Sequence, residues 1–189
     1  MNFDYLLRRL TGRLRKVLIR ISYDVQFGDR VYVSAGAHIR TFDGGRVVIG
    51  AGCDIHAGSL IEARGGVVTI GPRSIVNRQA TIVAGERIEI GPDALIAEGV
   101  TIRDRHHARH TKPYNLAGMV GAPVTIGVNV WIGAKASILA GVRLPDDIVV
   151  GAGAVVTKSP PQTGILLGVP ARLHRSSNGE GSAACVDAG

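Results

Sequence analysis

Aromatic residues are scarce in this chain: three Phe, four Tyr and one Trp among 189 residues, or 4%. So few rings cannot fill a wide core. They also leave little to stack bases in a nucleic-acid groove, so nucleic acid is not an expected partner. Cysteine is nearly absent too. Cys53 and Cys185 lie far apart with no CxxC spacing, which argues against a disulfide framework or a thiolate metal site and for a reducing, cytoplasmic setting. No apolar run reaches the roughly 20 residues of a bilayer-spanning helix, and no secretory leader with a small-residue cleavage site is visible. Helix-period patterning is missing between residues 23 and 170, which speaks against a doubly wound α/β fold with buried parallel strands.

What the chain has instead is an aliphatic residue every six positions. Ile49, Ile55 and Ile61 begin the clearest run; Ile70, Val76 and Ile82 follow, then Ile90, Ile96 and Ile102, then Ile126, Ile132, Ile138, Leu144, Val150 and Val156. Phe27, Val33 and Ile39 extend it upstream. Gly often follows the aliphatic, as at Gly50, Gly71, Gly91, Gly127, Gly133 and Gly151, and a small residue often stands four places after it, as at Cys53, Ser59, Ser74 and Ala80. Six residues do not fit a 3.6-residue helical turn, but they fit a short strand plus a corner. Three such sides make a coil of about eighteen residues whose inward aliphatics stack on those of the next coil. The expected fold is mostly β: a parallel β-helix of about six coils over residues 23–170. It is preceded by a helix over 1–22 and followed by a tail over 171–189, whose SSNGEGSAACVDAG composition is that of a disordered segment.

The period breaks only at the third side of a coil. Two or three residues are added around Gly65–Gly66 and Gly85–Glu86, and eighteen between Ile102 and Ile126. The last is a loop over 107–123, the place on a rigid solenoid where function is expected.

Charge is uneven. Of the net +7, residues 1–22 carry +5, from Arg8, Arg9, Arg13, Arg15, Lys16 and Arg20 against Asp4. Phe3, Leu6, Leu7, Leu10, Leu14, Val17, Leu18 and Ile21 recur there at helical spacing. Such a helix can cap the open end of the solenoid or lie on an anionic membrane surface, and the two are compatible.

Residues 102–110 read Ile-Arg-Asp-Arg-His-His-Ala-Arg-His, placing three of six histidines at the start of the loop. A His can take a proton near neutral pH, and Asp104 is near enough in sequence to orient one. Residue type alone leaves a general base, a metal site of His106, His107 and His110, and a merely solvated loop all open.

The segments NVWIG (129–133), GAGAVVTK (151–158) and GVPAR (168–172), in this order and spacing, resemble the C-terminal half of hexapeptide-repeat acyltransferases. The similarity is greatest to the sugar and polysaccharide O-acetyltransferase branch and covers roughly residues 45–175. The resemblance implies a left-handed parallel β-helix, usually a homotrimer, that moves acetyl from acetyl-CoA to a hydroxyl of a sugar or glycan. It implies His107, five residues after Ile102, as the general base, and Asn77, thirty residues earlier, as an acceptor contact; Asp104 is expected to bind the acceptor with Asn77. A further acidic acceptor contact of those relatives falls near Ala84–Gly85, where this chain has no acid. CoA contacts would come from Ala134, Ala152, Thr157, Lys158, Arg172 and Arg175, with the basic side chains meeting phosphate. No metal is implied. The alternatives are a γ-carbonic-anhydrase-like metal enzyme on the same solenoid, with His56 a candidate ligand from an earlier coil, and a non-catalytic scaffold.

Overall fold

The computed structural model describes residues 14–109 and 112–174; Arg8, Arg9, Arg13, His110, Arg175 and Cys185 lie outside them. Short strands stack into three mostly parallel sheets that form the faces of a prism. The first face has six strands, from Val25–Phe27 to Arg143–Leu144. The second has eight, from Tyr32–Val33 to Arg172–His174, and the third six, from His38–Phe42 to Val155–Val156. Consecutive strands fall on different faces, and each pairs with its equivalent one coil on. Ile49 stands beside Ile70, Ile61 beside Ile82 and Ile96 beside Ile132. This is the parallel β-solenoid of about six coils that the hexads call for. All fifteen aliphatics of the main run point inward, none more than 3% exposed, and burial of each stabilises by about 1.5–3 kcal/mol.

The glycine after the aliphatic is required by stacking. A Cβ on Gly50 would meet the backbone nitrogen of Pro72 in the next coil at 2.5 Å. At the corner between the first and second faces, one residue per coil is left-handed, including Arg30, Arg73, Asp93, Asn129 and Asp147. The cost of that conformation to an L-residue is offset by polar ladders along the column. Arg73 bonds Asp93 through Nε–Oδ1 (2.6 Å) and Nη2–Oδ2 (2.5 Å), and Asn129 Nδ2 donates to Asp147 Oδ1 (2.7 Å). The hydrogen bond from Arg73 holds the Asp93 carboxyl below the usual carboxylate range. Cys53 is a packed corner residue; burial pushes its thiol up, and Sγ donates to Gly71 O (3.1 Å).

The helix over residues 14–22 does cap the first coil. Ile19 and Tyr23 pack on the core edge, Arg15 Nη1 donates to Ser34 O (2.9 Å) and Lys16 Nζ to Val31 O (2.8 Å). The apolar stripe, however, is turned away from the solenoid: Leu14, Val17, Leu18 and Ile21 are each more than half exposed. At the far end Ile165–Leu167 and Arg172–His174 fold back on each other and close the second face.

The outward rows give each face its own character. The first presents Gln26, Thr69, Glu89, Thr125 and Arg143. On the second, Ile75, Leu95, Trp131, Val149 and Ile165 align in one apolar row. The third presents His38, Leu60, Thr81, Thr101, Ser137 and Val155, with Arg40, Glu62 and Arg103 in the next outward row.

Candidate active site

The long excursion leaves the third face just after Thr101–Arg103. Its root is Asp104, which is fully buried. The Gly85 N–H donates to Oδ1 (2.8 Å), and the Glu86 and Arg87 N–H groups both donate to Oδ2 (2.7 Å each). The structure therefore places the Asp104 carboxylate on the backbone of the preceding coil's corner, not beside an imidazole. From that anchor the chain runs out as Arg105–His107, paired antiparallel with Met119–Gly121. The ribbon is closed by Ala122 N–H to Asp104 O (2.9 Å) and Ala108 N–H to Gly118 O (2.8 Å), and a short 3-10 turn at Tyr114–Leu116 forms part of its tip. The chain re-enters at Val124–Ile126, which pairs with Arg87–Ile90 of the previous coil, so no ladder is interrupted.

His106 and His107 are both exposed on this ribbon. They differ in their commitments. His106 Nδ1 lies 3.0 Å from His107 O. The His107 ring makes no hydrogen bond among the described residues.

Other candidates fall on two edges of the third face. Asn77 directly follows Val76, whose column runs through Ile96, Ile132 and Val150. Ala134 and Ala152 stand two residues past the last two of these, and Gly153 N–H donates to Ala134 O (2.8 Å). Asn77, Ala134 and Ala152 thus line the edge between the second and third faces. Thr157 and Lys158 follow Val156, in the column of Ile138 and Ile102. They share with His107 the edge between the third and first faces, two coils apart. Arg172 is exposed near the C-terminal end of the second face, its Nη1 donating to Ala171 O (3.2 Å). Within one chain the two edges are separated by the width of the third sheet. His56 belongs to the first edge, remote from His106 and His107. No group of three or more His, Cys, Asp or Glu capable of holding a metal occurs among the described residues.

One part of the site has no counterpart in the residue-level reading. Beside the ribbon root is a cleft of about 430 Å³ lined by Arg40, Glu62, Arg64, Arg103, Arg105 and Met119, among others. The sequence signal for it was the length of the third-face strands: His38–Phe42 and Leu60–Arg64 run five residues, beyond what a hexad side needs.

A three-sided parallel solenoid with one inward aliphatic per side, interrupted by a single His-bearing ribbon, defines a class, that of the hexapeptide-repeat transferases. Comparison with known proteins agrees. Residues 123–158 match the family "hexapeptide repeat of succinyl-transferase". The chain is 39% identical over 114 residues to galactoside O-acetyltransferase of Escherichia coli (strain K12), covering 60% of this chain and 56% of that one. It is 32% identical over 133 residues to WbbJ of the same organism, described as a lipopolysaccharide biosynthesis O-acetyl transferase, covering 65% and 68%. A solved galactoside acetyltransferase in complex with coenzyme A superimposes with a TM-score of 0.62 at 28% identity, covering 94% of this chain and 84% of that one. The chain belongs to the hexapeptide-repeat acetyltransferase family. Its match spans little more than half the length of the galactoside enzyme.

Proposed function

We propose that this protein is an acetyl-CoA-dependent O-acetyltransferase that acts on a hydroxyl of a sugar or glycan, with His107 as general base. The observation that carries this reading is the placement of His107: exposed on a ribbon held at its root by Asp104, with a ring that makes no hydrogen bond among the described residues. The relatives support it, being named for acetyl transfer to galactosides and in lipopolysaccharide biosynthesis, one of them solved with coenzyme A bound.

In the reaction His107 takes the proton of the acceptor hydroxyl as its oxygen attacks the thioester carbonyl. Backbone N–H groups at the edge stabilise the oxyanion. The C–S bond then breaks, and the proton passes from His107 to the departing CoA thiolate. Ala134 and Ala152 have too little side chain to block a pantetheine arm from the backbone. Thr157, Lys158, Arg172 and Arg175 meet the nucleotide end and its phosphates, and Asn77 contacts the acceptor. Asp104 serves as a positioning residue that fixes the ribbon.

A homotrimer completes this site. Head-to-tail association of identical subunits closes into a ring and sets the Asn77–Ala134–Ala152 edge of one subunit against the His107–Lys158 edge of the next. The apolar row Ile75–Leu95–Trp131–Val149–Ile165 is the surface suited to that contact. The protein acts in the cytoplasm, with the helix over 14–22 resting its exposed stripe on the inner face of the membrane.

Replacing His107 with Ala is expected to lower kcat by about two to four orders of magnitude with CoA affinity nearly unchanged. An active His107→Ala enzyme alongside an inactive His106→Ala or His110→Ala enzyme would refute the assignment.

A further inference from the structure

The charge of the cleft beside the ribbon specifies what the acceptor carries. Side chains alternate along a strand, so the residues one past the third-face aliphatics all point outward. Register aligns them as Arg40, Glu62, Val83 and Arg103 across four coils. Two residues further on, a second outward row begins with Phe42 beside Arg64 and ends on Gly85 and Arg105. A Cβ on Gly85 would run into the Cδ and Nε of Arg105, so that side chain lies flat across the corner. The cleft lies between these rows.

Four arginines and two acids line it, and the acids are already engaged. Asp104 gives its carboxylate to three backbone amides. Glu62, only 4% exposed, serves two cations at once, Arg64 Nε at 2.6 Å and Arg40 Nη2 at 3.2 Å. Arg64 also sits over the Phe42 ring, 4.7 Å from its centroid. Arg103 and Arg105 make no ion pair among the described residues. Among the described residues, buried Arg40 Nε has no hydrogen-bond partner, and Glu62 Oε2 has only the 3.2 Å ion pair to Arg40 Nη2 and no hydrogen bond. A buried donor left open beside a carboxylate oxygen that has spare accepting capacity is costly unless a ligand completes it. One kind of molecule answers all three features: an anionic group for the forks of Arg103 and Arg105, a hydroxyl hydrogen for Glu62 Oε2, and an oxygen for Arg40 Nε.

The cleft also adjoins the strand that bears His107. Arg105 and His107 are two residues apart on one strand and share a face, about 7 Å apart along it. Met119, the cross-strand partner of His107, is part of the cleft wall. An acceptor anchored at Arg105 by its charge would extend a neighbouring hydroxyl toward His107.

We propose that this cleft binds an acidic sugar unit, bearing a carboxylate or a phosphate, as the acceptor, and that Arg103 and Arg105 set the preference for charge. The proposal rests on the acetyl-transfer reading of His107 for its catalytic consequence, but not for its binding consequence. The test uses the full chain and three probes: methyl glucuronide, glucose 1-phosphate and the neutral methyl glucoside. Titration calorimetry without acetyl-CoA reads the cleft alone; acetyl-CoA consumption with each probe reads the reaction. At least one acidic probe is expected to bind at least tenfold more tightly than the neutral one, and to be turned over with at least tenfold higher kcat/KM. The stronger of the two acidic probes identifies carboxylate or phosphate. The Arg103→Gln/Arg105→Gln variant, checked for folding by circular dichroism, is expected to lose the preference, and Arg105→Lys to keep part of it. Equal binding of charged and neutral probes, or a preference that survives the double Gln substitution, would overturn the cleft assignment while leaving acetyl transfer standing. Tight acidic binding without acetyl transfer to any probe would uphold the cleft and count against the acetyl-transfer reading.

Discussion

Replacing Asp104 with Ala or Asn tests whether one carboxylate holds the His107 ribbon in place. In the wild type the carboxylate accepts three N–H bonds of 2.7–2.8 Å from a site closed to solvent. Ala removes all three. The Gly85 amide is then stranded in a buried corner, while Glu86 and Arg87 are exposed residues whose amides can recover water. One buried unsatisfied donor at about 1–3 kcal/mol and two partly compensated charge-assisted bonds put the loss at about 3–5 kcal/mol. Asn is milder and more informative. Its carbonyl oxygen can keep the two bonds made by Oδ2, but its NH2 then faces the Gly85 N–H, donor against donor, for a loss of about 1.5–3 kcal/mol. Urea denaturation followed by circular dichroism measures the global change. Hydrogen exchange measures the local one, and the Gly85, Glu86 and Arg87 amides should lose protection ahead of the amides of the hexad columns. Because the same residue roots the strand that bears His107, the Asn variant should also lose kcat with little change in KM for acetyl-CoA. Unchanged exchange at these three amides together with a stability loss under about 0.5 kcal/mol would refute the reasoning.

Four further outcomes are expected. Truncating Ile96, fully buried at the centre of its column, to Ala should cost about 2–5 kcal/mol in denaturant unfolding, and a loss under 1 would contradict the packing described. The Asp93 carboxyl is lowered by its hydrogen bond from Arg73, so its contribution is present above the ordinary carboxylate range and disappears as pH falls through the lowered value. The stability difference between wild type and Asp93→Asn should fade over that window and shrink in 1 M salt, because the pair is exposed. Lys158→Ala and Arg172→Ala should raise the KM for acetyl-CoA and leave the acceptor KM alone, with unchanged acetyl-CoA kinetics in both ruling the positions out. Changing Arg8, Arg9 and Arg13 to Glu should abolish sedimentation with anionic liposomes while sparing turnover of soluble substrate, each basic residue near the surface being worth about 1 kcal/mol; a wild-type chain that does not sediment at low salt removes the membrane role.

The solenoid was legible because its determinant is local and repeated: the aliphatics from Ile49 to Val156 recur at six-residue steps except at three third-side breaks, and each is buried. The ribbon was legible as the one place where the rule lapses for eighteen residues. The role of Asp104 was not. Three residues from His107, it reads as a partner for an imidazole. Yet it continues the inward row of Ala63 and Ala84, and its ligands are amides nearly twenty residues upstream. The charged cleft was hidden for a related reason. Arg40, Glu62 and Arg103 are far apart in the chain and become neighbours only once the register of four coils is known. The helix over 14–22 shows a third limit: periodicity revealed an apolar stripe but not which way it would face, and Ile19 with Arg15 and Lys16 made the cap instead.

Each coil pairs only with the one before and the one after, and this arrangement sets an order in time. Peeling a terminal coil breaks one set of ladders; opening a central coil breaks two. Thermal openings therefore start at the ends and work inward. The coils of Asn77 and Ile102 lie in the middle of the stack, so the proposed site sits where the protein spends the smallest fraction of its life unfolded. The capping helix and the closing hairpin of Ile165–Leu167 and Arg172–His174 take the role of sacrificial ends, whose loosening leaves the central coils paired on both sides.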